Sequence, residues 1–371
     1  MKILQISAYA PPNYGGSESF CIELSKRLVK KGHNVDILAS SHPMKKYSQT
    51  NIDGVNIYRH KSYGNILGTN PLSIIYDTLE ERISEYDVVH VHSYIFFLSN
   101  QVALLRKKQE FPYILHLHGG LGHLNSKQFG IIKSKVKDVY DLTLGKWTIQ
   151  SADWIFSCNK TDSKYIQEKY GIKSNKITTL PNPINFTNFH LSKHNPPIVI
   201  SYIGRLTASK GAKELPQIAS AIHKEIPEAK FRIIGDGPFF PWITEKMGQY
   251  AQVYGRISHD RIPEILQDTH ILILPSHMEG MPLVVLEALA SGVPVVAYDV
   301  GGVSEIVIND KTGFTVNVGK VDDLVQKTLL LIKNHQKRLE MGLNGRKIIE
   351  KNHSWEKVVE EIVSRYTKLS S

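Results

Sequence analysis

Short apolar runs rich in β-branched residues recur along the chain and alternate with segments of helical periodicity. In the first half they are KILQIS, VDILAS, VNIYR, DVVHVH, YILHLH and WIFSC; in the second they are IVISYIG, FRIIG, HILILP, VPVVA and GFTV. Strands separated by helices predict parallel sheets built from strand-helix-strand units, an α/β architecture. Between the halves, LPNPINFTNFHLSKHNPPIV carries Pro181, Pro183, Pro196 and Pro197, which break any periodicity and mark a linker. The last segment, HSWEKVVEEIVSRYTKL, places Trp355, Val358, Val359, Ile362, Val363 and Tyr366 on one face of an amphipathic helix. Because it follows the complete second set of strands, this helix is expected to return to the first domain. The expected division is therefore 1–184 together with 354–371, and 185–353.

Length agrees with two domains, since 371 residues exceed what one core usually supports. A composition of 42% hydrophobic and 22% charged residues leaves no room for a long disordered tail. The net charge of +10 is uneven: residues 1–190 hold 23 Lys+Arg against 15 Asp+Glu, and the remainder 22 against 20. Basic excess can serve nucleic acid, anionic lipid or an anionic substrate. The interleaved aromatics and motifs of a nucleic-acid module are missing, so no nucleic-acid partner is expected. Cys21 and Cys158 sit far apart in apolar runs and read as buried thiols. The start lacks the apolar core of a signal peptide and no run is long enough to span a bilayer, which predicts a cytoplasmic protein.

The run HMEGMPLVVLEALASGVPVV, residues 277–296, holds Glu279 and Glu287 in surroundings that otherwise read as buried. Ionised carboxylates rarely enter an apolar setting without a partner. Pro282 can occupy the first turn of a helix LVVLEALAS that ends at Gly292, leaving Glu279 in the entering loop and Glu287 on the helix flank. Backbone N–H groups at such a start, backed by the helix dipole, suit a phosphate. Glu287 lies four residues past Leu283, about 6 Å along the axis. A carboxylate there can accept hydrogen bonds from two vicinal hydroxyls. In SYIGRLTASKGAKEL a strand runs into Gly204-Arg205, and Lys210-Gly211 opens the next helix, so a guanidinium fork and a mobile ammonium stand at one loop. The bland alternative is a solvated pair on a helix end.

Two glycine signals remain. Gly235-x-Gly237 reads as turn geometry. Gly15-Gly16 follows the first strand and lacks the third glycine of a dinucleotide fingerprint, so Gly16 is assigned to close backbone approach to an anion. In YILHLHGG, alternation sends His116 and His118 to one face, as it does His90 and His92 in DVVHVH. His118, at the carboxyl end of its strand, is the one expected to line a site, because ligands gather outside those ends.

Taken together, GGSE, HLHGG, GRLTASKG, EGMPLVVLEALASGVPVVAYDVGG and the returning helix resemble the family-4 retaining glycosyltransferases of the GT-B fold. The resemblance implies two Rossmann-like domains with parallel sheets facing a central cleft. It assigns Arg205 and Lys210 to a donor diphosphate, Glu287 to ribose hydroxyls, and Glu279 to a hydroxyl of the transferred sugar. It puts His118 beside that sugar, Gly16 near the phosphates, Ile257 at the base, and Gly280, Met281 and Leu283 within the donor site. His118, Arg205, Lys210 and Glu279 are then the candidate catalytic residues. The reaction implied is transfer of a hexosyl or N-acetylhexosaminyl group from a nucleoside-diphosphate sugar to a sugar or lipid-linked hydroxyl acceptor. A UDP-sugar is the expected donor with GDP-mannose as the alternative, and the setting is polysaccharide, glycolipid or glycoconjugate synthesis. No Asp-x-Asp sequence occurs, so no metal and no cofactor beyond the nucleotide-sugar co-substrate is expected. An epimerase or hydrolase on the same fold, or a non-catalytic nucleotide-sugar-binding subunit, is the alternative function.

SKQFGIIKSKVKDVYDLTLGKWTIQ adds a further expectation. Phe129, Ile132, Val136, Val139, Tyr140 and Trp147 can share a helical stripe beside Lys127, Lys133, Lys135, Lys137 and Lys146, with Arg106, Lys107 and Lys108 nearby in sequence. Such a stripe suits peripheral docking on an anionic membrane surface, at the inner face of the membrane. The alternative is that it packs on the first sheet.

Overall fold

The computed structural model describes residues 1–12, 15–66, 70–121, 131–193, 195–248 and 250–371, with residues 131–133 described by their backbone alone. The chain divides into two units: Met1–Leu180 with Val358–Ser371, and Pro181–Lys357. The break falls at Leu180, four residues earlier than the linker pattern places it. Asn182 and Ile184 belong with the second unit because Ile184 bridges Ser354 and the Asn182 carboxamide donates to the Met281 carbonyl at 2.9 Å.

The first unit holds β1 (Lys2–Ile6), β2 (Asn34–Ser40), β3 (Ser48–Ile52), β4 (Val55–His60), β5 (Ser62–Ile66), β6 (Asn70–Ser73), β7 (Val88–His92), β8 (Tyr113–Leu117), β9 (Trp154–Ser157) and β10 (Ile177–Thr179). Its eight-stranded sheet has the order β10-β9-β8-β7-β1-β2-β4-β3, and β5 pairs with β6 in a small hairpin. All neighbours in the large sheet are parallel except β3, which runs antiparallel to β4. The apolar pattern misses β3 because SQTNI is polar and lies on the sheet edge. Asp53 and Gly54, both at positive φ, close the two-residue turn that pairs it with β4. Leu4, Ile6, Val89, Val91, Tyr113 and Leu115 form the core on one face of this sheet.

The second unit holds β11 (Val199–Ile203), β12 (Lys230–Ile234), β13 (Ala251–Val253), β14 (Ile271–Leu274), β15 (Val295–Tyr298) and β16 (Gly313–Val316). They form a fully parallel sheet in the order β13-β12-β11-β14-β15-β16. Strands such as VISYI and ILIL are buried at every position, as parallel strands covered on both faces must be.

The terminal helix Trp355–Ser370 begins in the second unit and belongs to the first from Val358 onward. Val358, Val359, Ile362 and Tyr366 on its apolar face are buried. Cys21 and Cys158 are free, buried thiols. Among the described residues no helix is long and apolar enough to cross a membrane.

The predicted amphipathic stripe of the first unit divides in the structure. Helices Ile131–Leu142 and Leu144–Gln150 leave Val136, Val139, Leu142 and Leu144 exposed. Tyr140 turns inward instead, its hydroxyl donating to the Tyr94 carbonyl at 2.6 Å and accepting from Asn100. Lys137 also leaves the solvated set, because its ammonium sits 2.7 Å from the fully buried carboxylate of Asp141. Arg106 pairs with Asp153. Lys127, Phe129 and the side chains of Ile132 and Lys133 lie outside the described residues.

Candidate functional site

In the second unit the loop after β11 carries both predicted cations. Tyr202 is buried beneath it, its hydroxyl 2.9 Å from the Arg205 carbonyl and 3.2 Å from that of Lys210. Burial, and then Glu279, push the Tyr202 pKa up, so the hydroxyl keeps its proton as a donor. Ala208–Lys210 form a 3₁₀ turn closed by Gly211 at φ +69. A Cβ there would stand 1.9 Å from the Pro275 carbonyl oxygen, so only glycine lets the loop lie against the end of β14. Arg205 is exposed, and among the described residues its guanidinium has no ion pair.

Glu279 faces Lys210. The ammonium lies 2.6 Å from Oε2, with the glutamate side chain 7% exposed and the lysine 23%. The loop holding Glu279 is fixed from two sides. Gly302 N–H donates to the Gly280 carbonyl at 2.7 Å, and Gly301, at φ +53, packs where a Cβ would meet the Glu279 carbonyl oxygen at 1.9 Å. Met281 is buried, its sulfur accepting from the Asn182 N–H at 3.3 Å. Helix Leu283–Ala290 follows, with Pro282 as its N-cap at ψ 122 and not inside the first turn as the sequence suggested. The helix opens with Leu283, half-buried, and its first N–H groups have no intrahelical acceptor.

Glu287 is buried along this helix, 5% exposed, and it meets a residue that the sequence did not single out. His259 Nε2 lies 2.7 Å from Glu287 Oε1. This hydrogen bond raises the pKa of the largely exposed His259 imidazole above its ordinary value. Ile257, two residues earlier, is partly buried. The loop after β13 therefore brings His259 to the flank of the helix that carries Glu287. A histidine in a polar loop gives no periodic signal, and its proximity to Ile257 was the one clue available.

In the first unit, Gly16 opens the helix Gly16–Lys30. It is exposed, and a Cβ added there meets nothing within 4 Å, so the protein itself does not require glycine at this position. Glu18 occupies the same helix start, buried, and burial raises its carboxyl pKa.

His118 follows directly on β8 and precedes Gly119 and Gly120 at positive φ. It joins a stack of four imidazoles. His116 and His118 are 4.5 Å apart at 4°, His90 and His116 5.4 Å at 9°, and His92 and His118 5.2 Å at 16°. The register that pairs His92 with His116 brings the two strands' alternating histidines onto one face. Burial drives His90 and His118 down to about 3 and holds His92 and His116 well below the usual imidazole range, so the stack is neutral at physiological pH. Ring nitrogens of His90, His92 and His116 lie within 4.8 Å of one another. For a cation to use all three, His92 would have to surrender one of two hydrogen bonds, to His118 at 2.9 Å or to Gln5 at 2.7 Å.

Comparison with known proteins gives a consistent picture. A family model described as "Glycosyl transferases group 1" matches residues 184–348, and one described as "Glycosyltransferase Family 4" matches residues 14–188. The chain is 25% identical to an uncharacterized glycosyltransferase of Methanocaldococcus jannaschii, over 99% of this chain and 98% of that one. The solved structure of a sucrose-phosphate synthase from Thermosynechococcus elongatus is similar at TM-score 0.81 and 19% identity, over 99% of this chain and 98% of that one. HepE of Anabaena, solved in complex with UDP-glucose, is similar at TM-score 0.76 and 16% identity, over 99% of this chain and 100% of that one.

Proposed function

Because this chain belongs to the family-4 glycosyltransferases of the GT-B fold, we propose that it moves a hexosyl or N-acetylhexosaminyl group from a nucleoside-diphosphate sugar, with retention, to a sugar or lipid-linked hydroxyl. The observation that carries this reading is the grouping of Arg205, Lys210 and Glu279, with Glu287 on the adjoining helix. The UDP-glucose complex of HepE supports a uridine nucleotide as donor.

In this reading Arg205, Lys210 and the first N–H groups of helix Leu283–Ala290 hold the diphosphate. As the bond from the anomeric carbon to the phosphate oxygen breaks, negative charge grows on that phosphate, and both cations stabilise it. The acceptor oxygen bonds to the anomeric carbon on the face the phosphate has left, and its proton passes to the phosphate. Glu279 binds a sugar hydroxyl, Glu287 accepts from the ribose, and His118 is kept as an acceptor for a substrate hydroxyl. The cations do the work that a metal would otherwise do. Incubating the chain with UDP- and GDP-sugars plus acceptor glycans in EDTA tests the whole reading: sugar should reach an acceptor. Dependence on added magnesium or manganese would refute the metal-free mechanism. Nucleotide release without acceptor would favour a hydrolase.

The His259–Glu287 pair gives a pH expectation. A raised imidazole pKa means that the pair stabilises the fold at pH below the ordinary imidazole value, about 6.5, and loses this contribution as pH rises through the folded pKa above it. Over that window Glu287 is released from an ion pair, so affinity for a nucleoside diphosphate should increase. Calorimetric titration of His259→Ala across the same window should show a flatter profile, and an unchanged profile would separate Glu287 from the nucleotide.

A second property rests on the exposed Val136, Val139, Leu142 and Leu144, which neighbour exposed Lys135 and Lys146. This surface suits peripheral attachment to an anionic membrane, as a lipid-linked acceptor would require. Flotation with anionic liposomes should show binding at low salt that is released at high salt. Leu142→Asp combined with Lys135→Glu and Lys146→Glu should abolish it, and binding that survives those changes would sink the idea.

A further inference from the structure

Tyr366, Gln5, His92 and His118 form a continuous hydrogen-bonded line inside the first unit. Gln5 on β1 and Tyr366 on the terminal helix are both completely buried, and His92 on β7 is nearly so. The Gln5 Nε2 donates to the Tyr366 hydroxyl at 3.2 Å, and Gln5 Oε1 lies 2.7 Å from His92 Nε2. His92 Nδ1 lies 2.9 Å from His118 Nε2. The Tyr366 hydroxyl, already an acceptor from Gln5, sends its own hydrogen to His90 Nδ1 at 2.5 Å.

With the Gln5 carboxamide oxygen facing His92, the chemistry of each group leaves one consistent set of proton positions. A carboxamide oxygen can only accept, so His92 must carry its hydrogen on Nε2. Burial keeps His92 neutral, and a neutral imidazole has a single N–H, so its Nδ1 is a lone pair. That lone pair must receive from His118 Nε2–H. His118 is held neutral in turn, which leaves its Nδ1 as a lone pair. Among the described residues His118 Nδ1 has no hydrogen-bond partner. The Gln5 amide decides the polarity. Turned over, it would present N–H to His92 and reverse every donor along the line, converting His118 Nδ1 into a donor. The rings cannot readily swivel out of this order, because His116 stacks on His118 with centroids 4.5 Å apart and Phe20 packs edge-to-face on it with centroids 5.1 Å apart.

We propose that Gln5, anchored by its hydrogen bond to Tyr366, acts through His92 as a positioning residue that fixes His118 in its Nε2–H tautomer and so keeps Nδ1 available to accept a substrate hydroxyl. The role of that acceptor rests on the glycosyl-transfer reading, whereas the tautomer itself does not.

Nitrogen NMR of the full chain labelled with ¹⁵N-histidine reads the tautomer directly, without any ligand. His118 should appear as the Nε2–H form in the unaltered protein. Gln5→Leu, close in volume, should move its signals toward the average of both tautomers and lower kcat roughly tenfold, the scale of one lost hydrogen bond, with KM for the donor little changed. Tyr366→Phe preserves the packing and should produce a smaller shift in the same direction, which keeps the test alive if Gln5→Leu does not fold. Gln5→Glu, whose carboxylate can only accept, should retain the Nε2–H form. A Nδ1–H form in the unaltered protein, or an unmoved tautomer in both Gln5→Leu and Tyr366→Phe, would overturn the proposal. So would a shifted tautomer with normal transfer. A chain that shows the expected tautomers but transfers no sugar would count against the functional reading alone.

Discussion

Arg205→Ala is expected to lower turnover by roughly two to three orders of magnitude, the cost of removing a donor aimed at charge that develops in the transition state, ~3–4 kcal/mol. Its melting temperature should stay near that of the unaltered protein. Arg205 is exposed and, among the described residues, makes no ion pair. The loop that carries it is shaped by other groups, the buried Tyr202 hydroxyl beneath its carbonyls and the Gly211 turn against Pro275. Loss of the guanidinium therefore removes chemistry and leaves the scaffold. Arg205→Lys should recover only part of the rate, because an ammonium keeps the charge but not the two-pronged geometry that matches phosphate oxygens. Steady-state kinetics with the preferred nucleotide sugar, run beside thermal unfolding, check both halves. Near-normal transfer by Arg205→Ala would remove Arg205 from the diphosphate site.

The strands were legible in the sequence because their signal is local: a parallel strand covered on both faces reads as a short apolar run, and VISYI, ILIL and VVAY do. β3, β5, β6, β10 and β13 were not, since SQTNI, ITT and AQV lie at sheet edges, where polar residues are tolerated, and SYGNI and NPLS pair only with each other. The site divides in the same way. That Glu279 and Glu287 would be buried followed from their apolar neighbours, but their partners did not, because Lys210 lies 69 residues from one and His259 lies 28 from the other. Tyr366 read as one more member of an apolar helical stripe, and only its hydroxyl's contacts with Gln5 and His90 distinguish it from core. The stripe at Val136 and Tyr140 failed for a related reason. Two residues four apart share a helix face in projection, yet here one is exposed while the other is drawn inward by Asn100 and the Tyr94 carbonyl. Periodicity ranks faces by hydrophobicity and is blind to a hydrogen bond made by one atom at the end of an aromatic ring.

Lys210→Ala should differ from Arg205→Ala by damaging stability as well as rate, and the difference isolates the pair with Glu279. Removing the ammonium leaves a carboxylate whose side chain is 7% exposed without the cation 2.6 Å away. Breaking a buried pair from one side costs about 3–5 kcal/mol, and since the lysine is partly exposed the lower end, ~3 kcal/mol, is expected here. Glu279→Gln should be milder, because the lysine left behind can turn toward solvent. The combination Lys210→Ala with Glu279→Gln should then regain most of the lost stability, as no charge remains buried, while turnover stays depressed by roughly two orders of magnitude through loss of the phosphate cation. Equilibrium unfolding of the three variants gives the coupling, and kcat on the same samples gives the chemistry. If the double variant recovered turnover along with stability, Lys210 would serve only to neutralise Glu279, and its assignment to the leaving phosphate would fall. If Lys210→Ala lost rate but no stability, the ion pair would be incidental, and the glutamate would hold its place through the Gly280–Gly302 and Gly301 contacts of its own loop.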